Sequence, residues 1–290
     1  MPAESATTIL VVGDIHGHWR DADTEFLHRA RPDMVLFVGD LGDEDVDMVR
    51  RVAAVQVPKA VILGNHDAWA SFSKDRPTPQ LRDSLAALGD DHLAYRVREL
   101  PAAGLSMLGA RPFSWGGRSL RSANVYGDLF GVRTVEDSVR RIVDAARGAH
   151  HRDLLILAHN GPTGLSGRPT DIYGKDFGRS PSGDWGDRDL ERAIARIRDM
   201  QLRVRCVVAG HMHHRVARPR GEERVRFVRR DGVLYVNPAV VPRLRKLGDV
   251  EVAHYMRMTW KRGELLEIDE IWVDAHGTTC DRGALEIVDL

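Results

Sequence analysis

Seven side chains able to bind a metal stand just after short apolar runs: Asp14, His16, Asp40, Asn65, His159, His211 and His213. The segments read ILVVGDIHGH (9–18), MVLFVGDLGD (34–43), AVILGNHDAW (60–69), LLILAHNGP (154–162) and VVAGHMHH (207–214). Carboxylates, an amide oxygen and imidazoles without thiolate suit catalytic manganese, iron or zinc better than a structural zinc cage. Two ions roughly 3.5–4 Å apart need a bridging ligand, and a carboxylate can give one oxygen to each. Asp40, central in the series, is the candidate bridge. Along an extended chain alternate side chains point the same way, so Asp14 and His16 are expected to face one ion, and His211 and His213 likewise. Gly13, Gly39, Gly64 and Gly210 precede the ligands and allow sharp turns and close backbone approach.

These residues must be held by strands. Each apolar run is at most five residues of Ile, Leu, Val, Phe or Met, as expected of strands buried on both faces. In open α/β sheets ligands gather at the carboxyl ends of strands. Residues 19–31 and 44–56 have helical spacing and are followed by Pro32 and Pro58, which predicts crossover helices of parallel βαβ units. Further helices are predicted at 78–90, at 134–148 with a capping box from Thr134 to Asp137, and at 187–201. After His214 the pattern turns strand-rich (RVRFVRR, GVLYVN, EVAHYMRMTW, LLEIDEIWVDA), which predicts an antiparallel second sheet closing the fold.

The ordered set D-x-H, G-D, G-N-H-D, H and G-H-x-H resembles the calcineurin-like metallophosphoesterase superfamily, from about Ile9 to Pro242. Stretches such as LFVGDLGDE, ILGNHDAW, HNGPTGL, GDWGD and LYVNPAVVPR resemble a poorly characterised subfamily of cyanobacteria, plastids and some other bacteria. The resemblance implies an α/β fold, a four-layer sandwich of two mixed sheets flanked by helices. It implies two divalent ions, manganese foremost, with iron or zinc as alternatives. Asp14, His16 and His213 would hold the first ion and Asn65, His159 and His211 the second, with Asp40 bridging. The ions would lower the pKa of a bridging water and neutralise phosphoryl charge during in-line attack. His66 would be the general acid for the leaving alkoxide, and Asp43 matches the position of its carboxylate partner in related Ser/Thr phosphatases. The segment GDLGDED lacks the Arg-Gly ending of those phosphatases. That departure removes a phosphate clamp and speaks against a protein Ser/Thr phosphatase or a dinucleoside-tetraphosphate hydrolase.

Composition sets the frame. The chain of 290 residues carries 42 basic and 42 acidic side chains, so no global field draws it to nucleic acid or an anionic membrane. Cys206 and Cys280 form no ligand pair, and Cys206 reads as a core residue. The start, MPAESATT, has no signal-like apolar segment, and no run reaches the roughly 18–20 residues of a transmembrane helix. A cytoplasmic enzyme of one domain, 1–290, is expected.

Two segments are expected to decide the substrate. The first, 109–133, is rich in Gly, Arg and aromatics; Arg111, Arg118 and Arg121 could reach a phosphate, with Trp115 or Tyr126 as a stacking face. The bland alternative is a solvated connection with its aromatics in the core. The second, 160–187, follows His159 and reads as a lid or pocket wall, or as a loop that only packs. Asn160, and Asn65 beside its metal role, are candidate phosphate contacts. His28, His92, His254 and His276 read as structural, and the basic run 218–230 as a hairpin with an exposed charged face. The leading expectation is a dinuclear phosphoesterase acting on a phosphomonoester or phosphodiester of a small molecule or nucleotide. A nuclease of the same superfamily is the second reading. A scaffold that has lost catalysis is the third, disfavoured because every ligand and His66 are present.

Overall fold

Parallel strands with apolar side chains on both faces need helices or a second sheet to cover them, and that demand shapes the chain. The structure, a computed structural model, describes residues 6–283 and 285–290. The opening residues 1–5, on which part of the signal-segment expectation rests, lie outside the described residues. In order the elements are β1 (Thr7–Val12), α1 (Asp21–Ala30), β2 (Met34–Phe37), α2 (Val46–Ala53), β3 (Lys59–Val61), α3 (Trp69–Ser73) and α4 (Pro79–Leu88). They continue with β4 (Val97–Leu100), β5 (Leu105–Gly109), α5 (Ala123–Phe130), α6 (Val135–Arg147), β6 (Asp153–Ala158), α7 (Arg188–Asp199) and β7 (Arg203–Ala209). The last stretch is β8 (Phe227–Arg230), β9 (Val233–Val236), β10 (Leu244–Leu247), β11 (Val250–Lys261), β12 (Glu264–Asp274), β13 (Thr279–Gly283) and β14 (Ile287–Asp289).

The strands form two mixed sheets flanked by helices. One has the order β13-β12-β11-β1-β2-β3, with β10 also on β11; the other has the order β14-β8-β9-β7-β6-β5-β4. Parallel pairing of β1 with β2 and of β2 with β3 aligns three of the motif strands. Parallel pairing of β6 with β7 aligns the other two. One hydrophobic cluster runs through both sheets, including Val11, Leu36, Val61, Ile156 and Val208. The predicted helices form, and their caps explain where they start. Asp45 accepts from the backbone of Asp47 and Met48, Thr78 caps α4 with Pro79 behind it, and Thr134 and Asp137 close a reciprocal box on α6. Among the described residues no helix is long and apolar enough to cross a membrane.

The late strands do not build a sheet of their own. β11 runs antiparallel to β1, from Thr7 opposite Trp260 to Val11 opposite Met256, whereas β8, β9 and β14 join the second sheet. The physical reason is the free edge of buried β1, whose backbone groups need partners. β11 meets it with Met256, Met258 and Trp260 fully buried. The basic run 218–230 is likewise less exposed than expected: Arg224 is buried, and Arg226 donates to Glu270 at 2.6 Å.

Glu270 also accepts from the buried His254 Nε2 at 2.6 Å. Burial alone would raise its carboxyl, but His254 and Arg226 outweigh burial and hold it at about 2. A carboxyl depressed in the fold stabilises it above its ordinary range, and that stability is lost as pH falls from about 4.5 toward about 2. Glu270→Gln should therefore cost about 3 kcal/mol in urea unfolding at pH 7. The deficit should narrow at pH 3; an equal deficit at both pH values would show that the charge of Glu270 is not what stabilises.

Candidate metal centre

The five motif strands end at Val12, Phe37, Val61, Ala158 and Ala209, and the polar residues occupy the turns that follow. Ile15 and His16 donate backbone N–H groups to the Asp40 carbonyl at 3.0 and 2.7 Å, locking the first turn to the second. Asp67 accepts from Gly42 N and Gly64 N at 3.0 and 2.8 Å, tying the second turn to the third. A Cβ on Gly64 would lie 2.2 Å from Asp40 Oδ1, so only glycine lets the third turn approach that carboxylate. His16, Asp40 and His211 all adopt left-handed backbone, with φ of 46°, 49° and 66°. Each costs on the order of 1–3 kcal/mol, about what burying one Leu or Val of the core contributes.

The turn at His211 corrects the alternation argument. His211 and His213 do not face one point; they join different clusters. Asp14, His16 and His213 form one group, and Asp40, His159 and His211 another, with candidate ligand atoms inside each within 4.8 Å of one another. Asp40 also groups with His16 and His66. Its Oδ2 lies 3.7 Å from His16 Nε2 and its Oδ1 lies 3.4 Å from His159 Nε2, so one carboxylate looks toward both groups. Asn65 Oδ1 stands 2.9 Å from His159 Nε2.

The donor atoms fit divalent ions. His159 gives its Nδ1 proton to the Val38 carbonyl at 2.8 Å, which leaves the Nε2 lone pair facing Asn65 Oδ1. His16 Nε2 and His213 Nε2 are 3.1 Å apart. Donors about 2.1 Å from an octahedral ion sit about 3 Å from each other. Burial, chiefly, lowers the pKa of His16, His159 and His211, and brings His213 down to about 4. The imidazoles are thus neutral near pH 7, with lone pairs free for metal. Burial and then Asp40 raise the Asp14 carboxyl. Burial would raise Asp40 too, but the charge that His159, His66, His16 and His211 gain as pH falls outweighs it and lowers its pKa. Buried carboxylates crowded this closely, with neutral imidazoles around them, are a site built for cations.

His66 opens a single turn of 3-10 helix, and its Nδ1 lies 2.6 Å from Oδ1 of the exposed Asp43. A cavity of about 560 Å³ begins at Asn65, His66 and His211. Segment 109–133 lines it with Trp115, Arg118 and Arg121, and segment 160–187 with Phe177 and Trp185. Both segments are thus walls, though 109–133 also contains α5, which lacks a clean sequence period. Three expected substrate contacts are elsewhere. Arg111 is buried and donates to Asp187 and Asp189, both at 2.8 Å, so its charge is spent inside the protein. Tyr126 is buried with its hydroxyl on the Pro112 carbonyl. Asn160 is buried and donates to the Trp185 carbonyl at 2.9 Å, anchoring the wall behind the His159 turn. Asp187, the residue before α7, accepts from Arg111, Ser114 and Asn160 through Oδ1 and makes no side-chain cap on the helix.

Sequence reasoning passed over Trp69, Phe177 and Trp185, although a tryptophan three residues after His66 is a readable signal. Asn237 also has a supporting part: it donates to the Met212 carbonyl at 2.7 Å, inside the turn that carries His211 and His213.

No curated protein shows significant similarity to the chain. One crystal structure superposes with a TM-score of 0.56 at 12% identity, covering 91% of this chain and 98% of the other. Haemophilus influenzae NAD nucleotidase superposes at 0.50 and 9% identity, covering 93% of this chain and 56% of that longer protein. TT1561 of Thermus thermophilus gives 0.49 and 10% identity, with 91% and 98% covered. The first two likenesses show the fold. The family model described as calcineurin-like phosphoesterase matches residues 7–215, the span that holds all five motif turns. The chain belongs to the calcineurin-like phosphoesterase family.

Proposed function

We propose that this chain is a dinuclear metal-dependent phosphoesterase that hydrolyses a phosphomonoester or phosphodiester of a small molecule or nucleotide. The observation that carries the reading is Asp40, one carboxylate turned to two ligand groups beside His66 and an open cavity. Asp14, His16 and His213 would hold one divalent ion and Asn65, His159 and His211 the other, with Asp40 common to both. Bound there, the ions, manganese foremost, lower the pKa of water and neutralise phosphoryl charge. The chain's own part is to orient and to move a proton. Asp43 fixes His66 through Nδ1, which leaves Nε2 to protonate the leaving oxygen. Arg118 and Arg121 supply the positive charge along the cavity that a phosphorylated substrate calls for. A cytoplasmic setting belongs to this reading, supported by the exposed free thiol of Cys280, which an oxidising compartment would expose to pairing.

Asp40→Asn should lose at least half of the bound metal, measured by elemental analysis, and lower kcat/KM about a hundredfold or more. Two ions per chain in that variant would refute the bridging role. His66→Ala should keep its metal yet lose about 10²–10⁴ in kcat on an alkyl phosphate, and far less on a nitrophenyl ester. Equal losses on both would remove His66 as the proton donor.

A further inference from the structure

The cavity that opens from Asn65, His66 and His211 is larger than a phosphoryl group requires, and its walls have a chemistry of their own. At about 560 Å³ it falls in the range of pockets that enclose a whole small molecule. Trp69 stands at 46% exposure, with its ring centroid 5.0 Å from that of His66 and 5.0 Å from that of Trp115. Phe177 is 41% exposed and meets Trp185 edge-on, centroids 5.0 Å apart. Large aromatic faces left in water beside a catalytic centre are surfaces awaiting a partner. The lining holds two arginines and no carboxylate.

The walls are built in advance. Trp185 Nε1 donates to the Trp115 carbonyl at 2.7 Å, and Gly117 N donates to the Trp185 carbonyl at 2.9 Å, so the two wall segments are stitched together. A Cβ on Gly116 would come within 2.3 Å of the Trp185 carbonyl oxygen, so glycine is what lets the walls close up. Arg121 lies 4.1 Å over the Trp115 ring, which holds its guanidinium inside the slot.

We propose that the substrate is a nucleoside phosphate, its phosphate at the metal ligands and its base stacked on the Trp69–Trp115 wall; the phosphate end rests on the function proposed above. A base has a π-face for an indole and a polar rim for Arg118 and Arg121, and its sugar is the spacer that joins stack to phosphate. Phosphoserine and phosphothreonine peptides and open-chain polyols have no aromatic face and would leave Trp69 and Phe177 wet.

The test compares adenosine 5′-monophosphate with ribose 5-phosphate, which differ only in the base. On the manganese-loaded full chain, kcat/KM for the nucleotide should exceed that for the sugar phosphate at least about tenfold, the factor expected of one base–indole stack. Trp69→Ala should remove most of that ratio and Trp69→Phe should restore it, with circular dichroism confirming that both variants fold. On metal-stripped protein, adenosine 5′-monophosphate should quench tryptophan fluorescence at concentrations where ribose 5-phosphate does not. Hydrolysis of both at rates within twofold overturns the base slot and leaves the phosphoesterase reading standing. Quenching that depends on Trp69, without hydrolysis of either compound or of the diester adenosine 3′,5′-cyclic monophosphate, supports the slot and counts against the phosphoesterase reading. Quenching by a thymidine decanucleotide but not by the mononucleotide overturns the proposal in favour of a nucleic-acid strand.

Discussion

A carboxylate cannot stay ionised inside a protein without compensating charge or hydrogen bonds, and Asp40 is buried with 1% of its surface exposed. Its left-handed backbone, the two amides donating to its carbonyl and the His66 amide donating to its Oδ1 all hold it in one orientation. The turns around it exist in the form they do because they must reach it. Gly64 has no side chain because Asp40 stands where one would go, and the rings of His16 and His159 approach it from opposite oxygens. Remove the need to surround that carboxylate and the strained turns have no justification in stability.

Support for the candidate centre radiates from there in hydrogen bonds that leave the atoms facing the two ligand groups untouched. Asp67 ties two turns, Val38 fixes the tautomer of His159, Asn237 holds the turn of His211, and Asn160 fastens the ligand turn to the pocket wall. The Arg111–Asp187–Asp189 cluster sits behind that wall. A buried arginine with two carboxylates is a costly group to place, tolerable because both acids are within 2.8 Å. Its effect is to fix how segments 109–133 and 160–187 meet.

Much of the centre could be read in the sequence for one physical reason. Strands buried on both faces write continuous apolar runs, so the polar residue that ends each run stands out. The fate of individual arginines could not be read that way. Arg111 and Arg118 are the same residue type in the same Gly-rich segment, yet one is buried and one lines the cavity. The difference is decided by Asp187 and Asp189, 76 and 78 residues from Arg111 along the chain. His211 and His213 misled by a different route, since local alternation assumes extended backbone and His211 is left-handed. The late strands misled because strand patterns say which face is buried and not which edge is vacant; only the position of β1 decides that β11 joins it.

The candidate ligands come from two sheets. Asp14, His16, Asp40 and Asn65 follow strands of the first, and His159, His211 and His213 follow strands of the second. Spacing within each set is rigid, because hydrogen-bonded ladders fix it. Spacing between the sets is fixed where the sheets meet, by core side chains such as Leu36 and Ile156 and by two hydrogen bonds that cross the seam, His159 Nδ1 to the Val38 carbonyl and the His211 amide to Asp14. The centre therefore behaves as a caliper whose jaws are the two sheets, with the hydrophobic core as its screw. Ion radius would then be selected partly away from the candidate ligands, by the volume of methyl and methylene groups packed between the layers.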